Sequence, residues 1–284
     1  MKLALLAGAA LAAFATSASA QMMYTQPLTR DWTGVYAGAY VGGSFSDGRS
    51  NETVLFDRNL DGAFGDTVTT AAGANAFSPG FCGGSANGPT PASGCKGDKD
   101  SFTYGVQGGY DWQKPGTPYV VGVVGSFGGS NTSDAVSAYS TTPAYYTLQR
   151  RAQYEATFGV RAGRTFYGNR TLVYVTGGGA YANIRNRFST SNTANAFTNT
   201  GDEDAFGYFV GAGVEHRLSD RVSVGISYHY SSVDAGDYRV RAGNSGATPA
   251  TNPFLLGNAG GTDFKRSESD FATQNVRASV NYRF

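Results

Sequence analysis

Asp111, Glu155, Arg161, Glu215, Arg217, Arg277 and Arg283 each sit in a stretch where apolar and polar residues alternate, and each falls on the polar side. Four guanidiniums and three carboxylates gathered in one interior can do either of two things. Paired, they offset each other's desolvation and fill the space as a salt-bridged plug. Unpaired, they line a charged constriction that ions or small solutes cross. A second constellation is Asp57-Arg58-Asn59-Leu60-Asp61-Gly62, which matches the opening half of a calcium loop: oxygen ligands at alternate positions and a glycine for the sharp turn. The twelfth position is Val68 where a bidentate glutamate belongs, so Asp66 would have to substitute and calcium would bind weakly. The same residues also spell an Asx-rich turn in a solvated loop.

Other candidates for chemistry are thin. Ser227, His229 and Ser231 lie close together, but no nucleophile elbow or other spaced catalytic motif is present, and the reading is of a non-enzyme. Gly177-Gly178-Gly179 lacks the following helix and lysine of a phosphate loop and reads as a mid-strand run that permits close backbone packing. Cys82 and Cys95 share one Gly/Pro/Ser/Asn-rich stretch. In an exported chain they are expected to form a disulfide closing that loop, the alternative being two free thiols; their spacing is wrong for a redox CxxC pair. His216 and His229 complete no zinc set with them. The formal net charge is +1 and no basic cluster points to nucleic acid.

What must position these residues is a set of strands. From Gln274 onward, Val276, Ala278, Val280, Tyr282 and Phe284 alternate with Arg277, Ser279, Asn281 and Arg283, so one face is apolar and the other polar. The same parity marks Trp32 to about Phe45, Phe102–Gln113, Arg151–Phe166, Phe206–Leu218 and Val222–Tyr230. Tyr119–Phe127 and Leu172 to about Ile184 are apolar on both faces; Val121, Val123 and Phe127 are placed outward in the former. Eight strands result. Connections after the second, fourth and sixth are short turns, whereas 46–101, 128–150, 186–204 and 232–269 are long. Short turns alternating with long loops, apolar-out and polar-in strands and a terminal aromatic are the pattern of transmembrane barrels of the bacterial outer membrane.

The chain therefore reads as all-β: an eight-stranded antiparallel up-and-down transmembrane β-barrel with long extracellular loops and short periplasmic turns. Its 40 glycines, 18 tyrosines and 18 phenylalanines suit strands and interfacial girdles better than helices. Lys2, the apolar run Leu3–Phe14 and Ala18-Ser19-Ala20 read as a signal peptide over 1–20, too short for a spanning helix; an N-terminal anchor is the alternative. Residues 21–31 follow as a short periplasmic leader and 32–284 as the barrel. Ser137–Arg150 could extend strands above the membrane, and Val54-Leu55-Phe56 could raise the wall to ten strands, a count not favoured because its loop is rich in glycine and charge.

Three stretches carry a resemblance: Asp31-Trp32-Thr33-Gly34-Val35-Tyr36-Ala37-Gly38, Leu172-Val173-Tyr174-Val175-Thr176-Gly177-Gly178 and Asn281-Tyr282-Arg283-Phe284, with Gly211-Ala212-Gly213-Val214-Glu215 and Asp220 similar too. They resemble the small outer-membrane β-barrel family of Gram-negative bacteria, the opacity-type surface antigens or porin-family proteins. The resemblance implies outer-membrane location, lipid and lipopolysaccharide as surroundings, and recognition of the terminal strand, with Tyr282 and Phe284, by the barrel assembly machinery. The pattern departs in the third strand, where Val124 and Ser126 stand in place of inward carboxylates. Such families host adhesins, stabilisers and weak pores alike. An eight-stranded barrel is just wide enough for its own side chains, so the expected role is a side-chain-filled surface protein supporting envelope integrity and presenting its loops as surface antigen. A narrow passive channel is the alternative. A secreted lipocalin-like binding barrel is disfavoured by the outward aromatics. No cofactor is expected beyond calcium in the first loop, and oligomeric state is left open.

Overall fold

In the computed structural model, which describes residues 31–46 and 51–284, eight long strands close into a ring. They are β1 (Gly34–Ser46), β2 (Ser101–Gln113), β3 (Tyr119–Gly129), β4 (Ala144–Phe166), β5 (Thr171–Thr190), β6 (Glu203–Arg217), β7 (Val222–Asp234) and β8 (Asp270–Arg283). Each pairs antiparallel with the next, and β8 pairs with β1 from Tyr36↔Arg283 to Ser46↔Thr273, which closes the barrel. The segments read as signal peptide and leader lie outside the described residues except Asp31.

The outer wall is apolar along its whole circumference. Phe102, Val106, Phe127, Phe158, Val160, Val175, Phe206 and Val280 are all more than half exposed, as a lipid-facing surface requires. The two strands with unsettled parity resolve here: Val121, Val123 and Phe127 of β3 and Val173 and Val175 of β5 point outward, while Val120 and Leu172 are buried inside. Glycines on the inner wall make room for large lumen rings. A Cβ on Gly128 would meet the Tyr40 hydroxyl at 2.1 Å.

The long connections are folded and not solvated loops, and the extension of strands expected over Ser137–Arg150 is present. β4 begins at Ala144 rather than Arg151 and β5 runs on to Thr190 rather than Ile184, so this hairpin stands well above the rest. Ser133–Ser140 pairs along its side, and Gly80–Gly83 pairs with that strand in turn. A separate four-stranded antiparallel sheet is built in the order Asn195–Asn199, Val240–Asn244, Thr262–Arg266, Val54–Asp57. Val54-Leu55-Phe56 thus joins a sheet above the barrel and not the wall, so the strand count stays at eight. The layers enclose a core of Val54, Phe56, Phe77, Leu148, Phe254 and Phe264 among others, in which Tyr146 meets Phe77, Phe254 and Phe264 edge-on. Cys82 and Cys95 form a disulfide with Cα atoms 6.5 Å apart, clipping the lip of this cap.

Candidate functional site

Parity decides what enters the lumen. Alternate residues of each strand point inward, so the seven charged positions singled out above converge from β2, β4, β6 and β8. At the turn end, Asp111 is fully buried and receives both Arg161, through Nε at 2.7 Å and Nη2, and Arg283, through Nη2 at 2.7 Å. Arg161 extends across to Glu215, Nη1 to Oε2 at 3.0 Å, and the Ser223 hydroxyl donates to the other Glu215 oxygen at 2.5 Å. The result is one chain, Arg283–Asp111–Arg161–Glu215–Ser223, spanning the interior. Its guanidiniums lie over aromatic faces: Arg161 is 4.4 Å from the Tyr36 ring centre and Arg217 is 4.5 Å from that of Trp32. Trp32 is itself fully buried, with Arg283 donating to its carbonyl and Arg217 donating to the Asp31 carbonyl at 2.5 Å.

Higher in the lumen Arg277 lies 4.5 Å from the Tyr40 ring centre and 3.6 Å from a Glu155 oxygen, and Ser231 donates to Glu155 at 3.0 Å. A dry layer follows, formed by Ala152, Ala180, Ala182, Ile184, Phe209, Val233 and Phe271. Above it sits a second buried ionic group. Arg150 pairs with Asp134 at 3.0 Å and donates to the carbonyls of Ser269 and Asp270; Arg266 pairs with Glu52 and reaches Asp134 at 3.1 Å. The aromatic cap core closes the top. Polar, apolar, ionic and apolar layers thus alternate along the axis.

Burial pushes the Glu52 carboxyl up, opposed by the Arg266 charge, while the Asp134 partnership holds the Arg150 guanidinium in its charged form against burial. Glu52, Asp134 and Arg266 lie in stretches whose sequence looks like loop, and Arg150 ends the segment Ser137–Arg150 that extends the strands upward, so nothing local marks the four as one group. The signal available was the alternation of Leu148, Arg150 and Ala152, which continues β4 upward in the same parity.

The first loop spends its oxygens locally. Asp57 accepts from the backbone amides of Asp61 and Gly62, Asn59 accepts from Asp61, Asp61 accepts from Ala63, and Asp66 accepts from Arg58. The hydrogen bond from Ala63 pulls the Asp61 carboxyl below its usual range. Among the described residues, no group of three or more His, Cys, Asp or Glu side chains is placed to hold a metal. His229 stacks on Phe209 with its Nε2 3.1 Å from Ser227 Oγ. Carboxylates missing from the third strand are supplied by β2, β4 and β6, and Ser126 bonds Thr157 at 2.7 Å instead.

A family model for the outer membrane protein beta-barrel domain matches residues 3–284. The chain belongs to that family. It is also similar to the 31 kDa outer-membrane immunogenic protein of Brucella melitensis, at 27% identity over 296 residues and the full length of both chains, and equally to that of Brucella suis. Among solved structures, Neisserial surface protein A is similar at 11% identity and a TM-score of 0.34, covering 89% of this chain and 98% of that one. The protein is thus an outer-membrane barrel of a Gram-negative bacterium. In such barrels long loops face the exterior and short turns the periplasm, so the cap is the extracellular end.

Proposed function

We propose that this outer-membrane barrel is a non-conducting surface protein, in which a sealed transmembrane stem carries a folded extracellular cap, supports the envelope and acts as surface antigen. The observation that carries this reading is the continuous filling of the lumen, from the Trp32–Arg217 stack through the Arg161 chain and the Ile184–Phe209 layer to the cap core. A passage would have to break buried ion pairs at two heights, and an unpaired charge left in such a site costs several kcal/mol, about 3–5 on removal of one partner. The immunogenic designation of the Brucella relatives supports display of the cap. Surrounding partners are outer-membrane lipid and lipopolysaccharide, and assembly through the terminal strand uses the outward Tyr282 and Phe284, whose rings pack edge-on at 5.2 Å. The test is single-channel recording of refolded protein in planar bilayers, with folding verified by heat-modifiable gel mobility. Silence is expected; reproducible ion-selective steps from folded protein would replace this reading with the narrow passive channel.

A further inference from the structure

Just above the lipid-facing aromatics, the outer face of the β4–β5 hairpin changes character within a few residues. Outward positions of β5 read Val173, Val175, Gly177, Gly179, Tyr181, Asn183, Arg185, Arg187. Arg185 lies directly opposite Arg151 of β4, Arg151 opposite Ser133, and Ser133 opposite Lys99, so three cations and a serine occupy one row across four adjacent chain segments. Arg187, opposite Gln149, stands one step higher. These cations, with Asn131 and Gln149, line a cleft of about 210 Å³.

Like charges directly opposite in a sheet destabilise it, and here Arg151 and Arg185 are such a pair. Local compensation is slight. Asp202 lies 3.7 Å from Arg185, with both side chains more than 40% exposed. Asp204, nearby, is taken by Tyr181 and Asn183 at 2.8 and 2.9 Å. Arg151 gives one bond to Asn131, and its Nε is buried with no hydrogen-bond partner among the described residues. The cleft therefore holds an excess of positive charge and a spare donor, at the height where the apolar wall ends in Tyr154, Tyr181 and Phe206.

We propose that this cleft is a binding site for the phosphate groups of a phosphorylated glycolipid, the lipopolysaccharide of the surrounding outer leaflet. Guanidinium forks match phosphate oxygens, with short charge-assisted bonds. A lipid source fits the position better than a soluble one, because the aromatic girdle below fixes the cleft at headgroup level on the wall's exterior, where acyl chains can lie against Phe158 and Val160. A bound phosphate would also relieve the Arg151–Arg185 repulsion. The inference rests on the lipopolysaccharide contact proposed above and assigns it to named residues.

The experiment places the full-length folded protein in phosphatidylcholine nanodiscs containing diphosphorylated lipid A, dephosphorylated lipid A or neither, and compares wild type with the triple variant Arg151→Gln, Arg185→Gln, Arg187→Gln. Retained lipid is counted by native mass spectrometry, and heat-modifiable mobility verifies folding. Wild type should retain diphosphorylated lipid A at least tenfold better than the dephosphorylated form, and the triple variant should lose that preference. If wild type shows no preference, lipopolysaccharide contact itself fails. If the preference persists in the variant, the contact stands and this site is wrong. Millimolar inorganic phosphate serves as the last arm: displacement of lipid A by phosphate alone would reassign the cleft to a soluble anion. Should the triple variant not fold, Arg187→Gln, the most exposed of the three, is tested in its place, and an unchanged preference there overturns the site equally.

Discussion

Replacing Glu215 by alanine isolates the sealing network. The carboxylate is 1% exposed and joins Arg161 at 3.0 Å to Ser223 at 2.5 Å. Its loss leaves one guanidinium edge of Arg161 and one hydroxyl without partners in a site closed to water. Breaking a buried pair costs about 3–5 kcal/mol. Arg161 keeps Asp111 on its other edge and the Tyr36 face beside it, so the lower end applies. A loss of about 3 kcal/mol corresponds to roughly a hundredfold shift toward the unfolded barrel. Glu215→Gln keeps one oxygen to accept from Arg161 and turns its NH2 toward the Ser223 hydroxyl, which can rotate to accept, so it removes the charge without orphaning either partner and should cost about half as much. The assay is urea unfolding of the refolded barrel in phospholipid vesicles, followed by the emission of the buried Trp32 in a Trp112→Phe background, since Trp112 lies on the outer wall, with bilayer conductance measured in parallel. Conductance should stay at background in both variants, because the dry layer and the cap remain. A loss below about 1 kcal/mol would mean that Arg161 and Glu215 gain nothing net from each other, and steady current through Glu215→Ala with unchanged unfolding would show the network to be a gate and not a seal.

Four further outcomes follow from the geometry. Phe284→Asp places a charge on a side chain that is 68% exposed on the outer wall, and should lower the amount of heat-modifiable protein in outer-membrane fractions; normal levels would argue against a role of this residue in assembly. Calcium at millimolar concentration should leave thermal unfolding unchanged, since Asp57 and Asp61 already accept backbone amides; a clear upward shift would show that this loop binds the cation. Cys82→Ser with Cys95→Ser opens a link across a sequence separation of 13, and should lower local cap stability by up to about 3 kcal/mol, seen as faster proteolysis between these positions while barrel mobility on gels is unchanged. Burial pushes the Tyr146 and Tyr238 hydroxyls above the ordinary phenol value of 10.0. Their folded values exceed the unfolded one, so the stability they contribute is complete below pH 10 and declines as pH rises through the folded values. Absorbance titration should show these two tyrosines ionising after the exposed ones, together with faster amide exchange in the cap; a single phase near pH 10 would contradict that account.

The barrel was legible because a strand buried on one side writes its environment into every second residue. Val276 to Phe284 and Phe102 to Trp112 carry that signal over enough residues to be read alone. β3 and β5 blurred it because Val120 and Leu172 are apolar on the inner face too, packing with Trp32 beneath the ionic chain. The cap was illegible for a different reason. Its strands are only two to eight residues long, and its core draws Val54, Phe77, Tyr146, Phe254 and Phe264 from three of the four long connections. No local period links such residues; only their tertiary meeting does. The polar sequence around them, read as solvated loop, supplies the turns and outer faces of a folded layer. Ser137–Arg150 does extend the strands above the membrane, as its sequence suggests, but the partners of Arg150, which are Asp134, Glu52 and Arg266, come from stretches with no such period.

The order of the cap sheet has a consequence for assembly in time. Val54–Asp57 follows β1 and Thr262–Arg266 precedes β8, and the two pair side by side, with Glu52 and Arg266 joined across 214 residues of sequence. Their parent strands become neighbours only when β8 meets β1, the last step of closing the ring. Contacts this remote carry their full loop-closure cost until the ring closes, so this edge pairing of the cap sheet is not expected to form on an open barrel. Once formed, it crosses the closing junction and must come apart before that junction can part. An antibody or exchange probe directed at the Phe56–Phe264 seam would therefore count finished molecules only, distinguishing them from chains that have entered the membrane without closing.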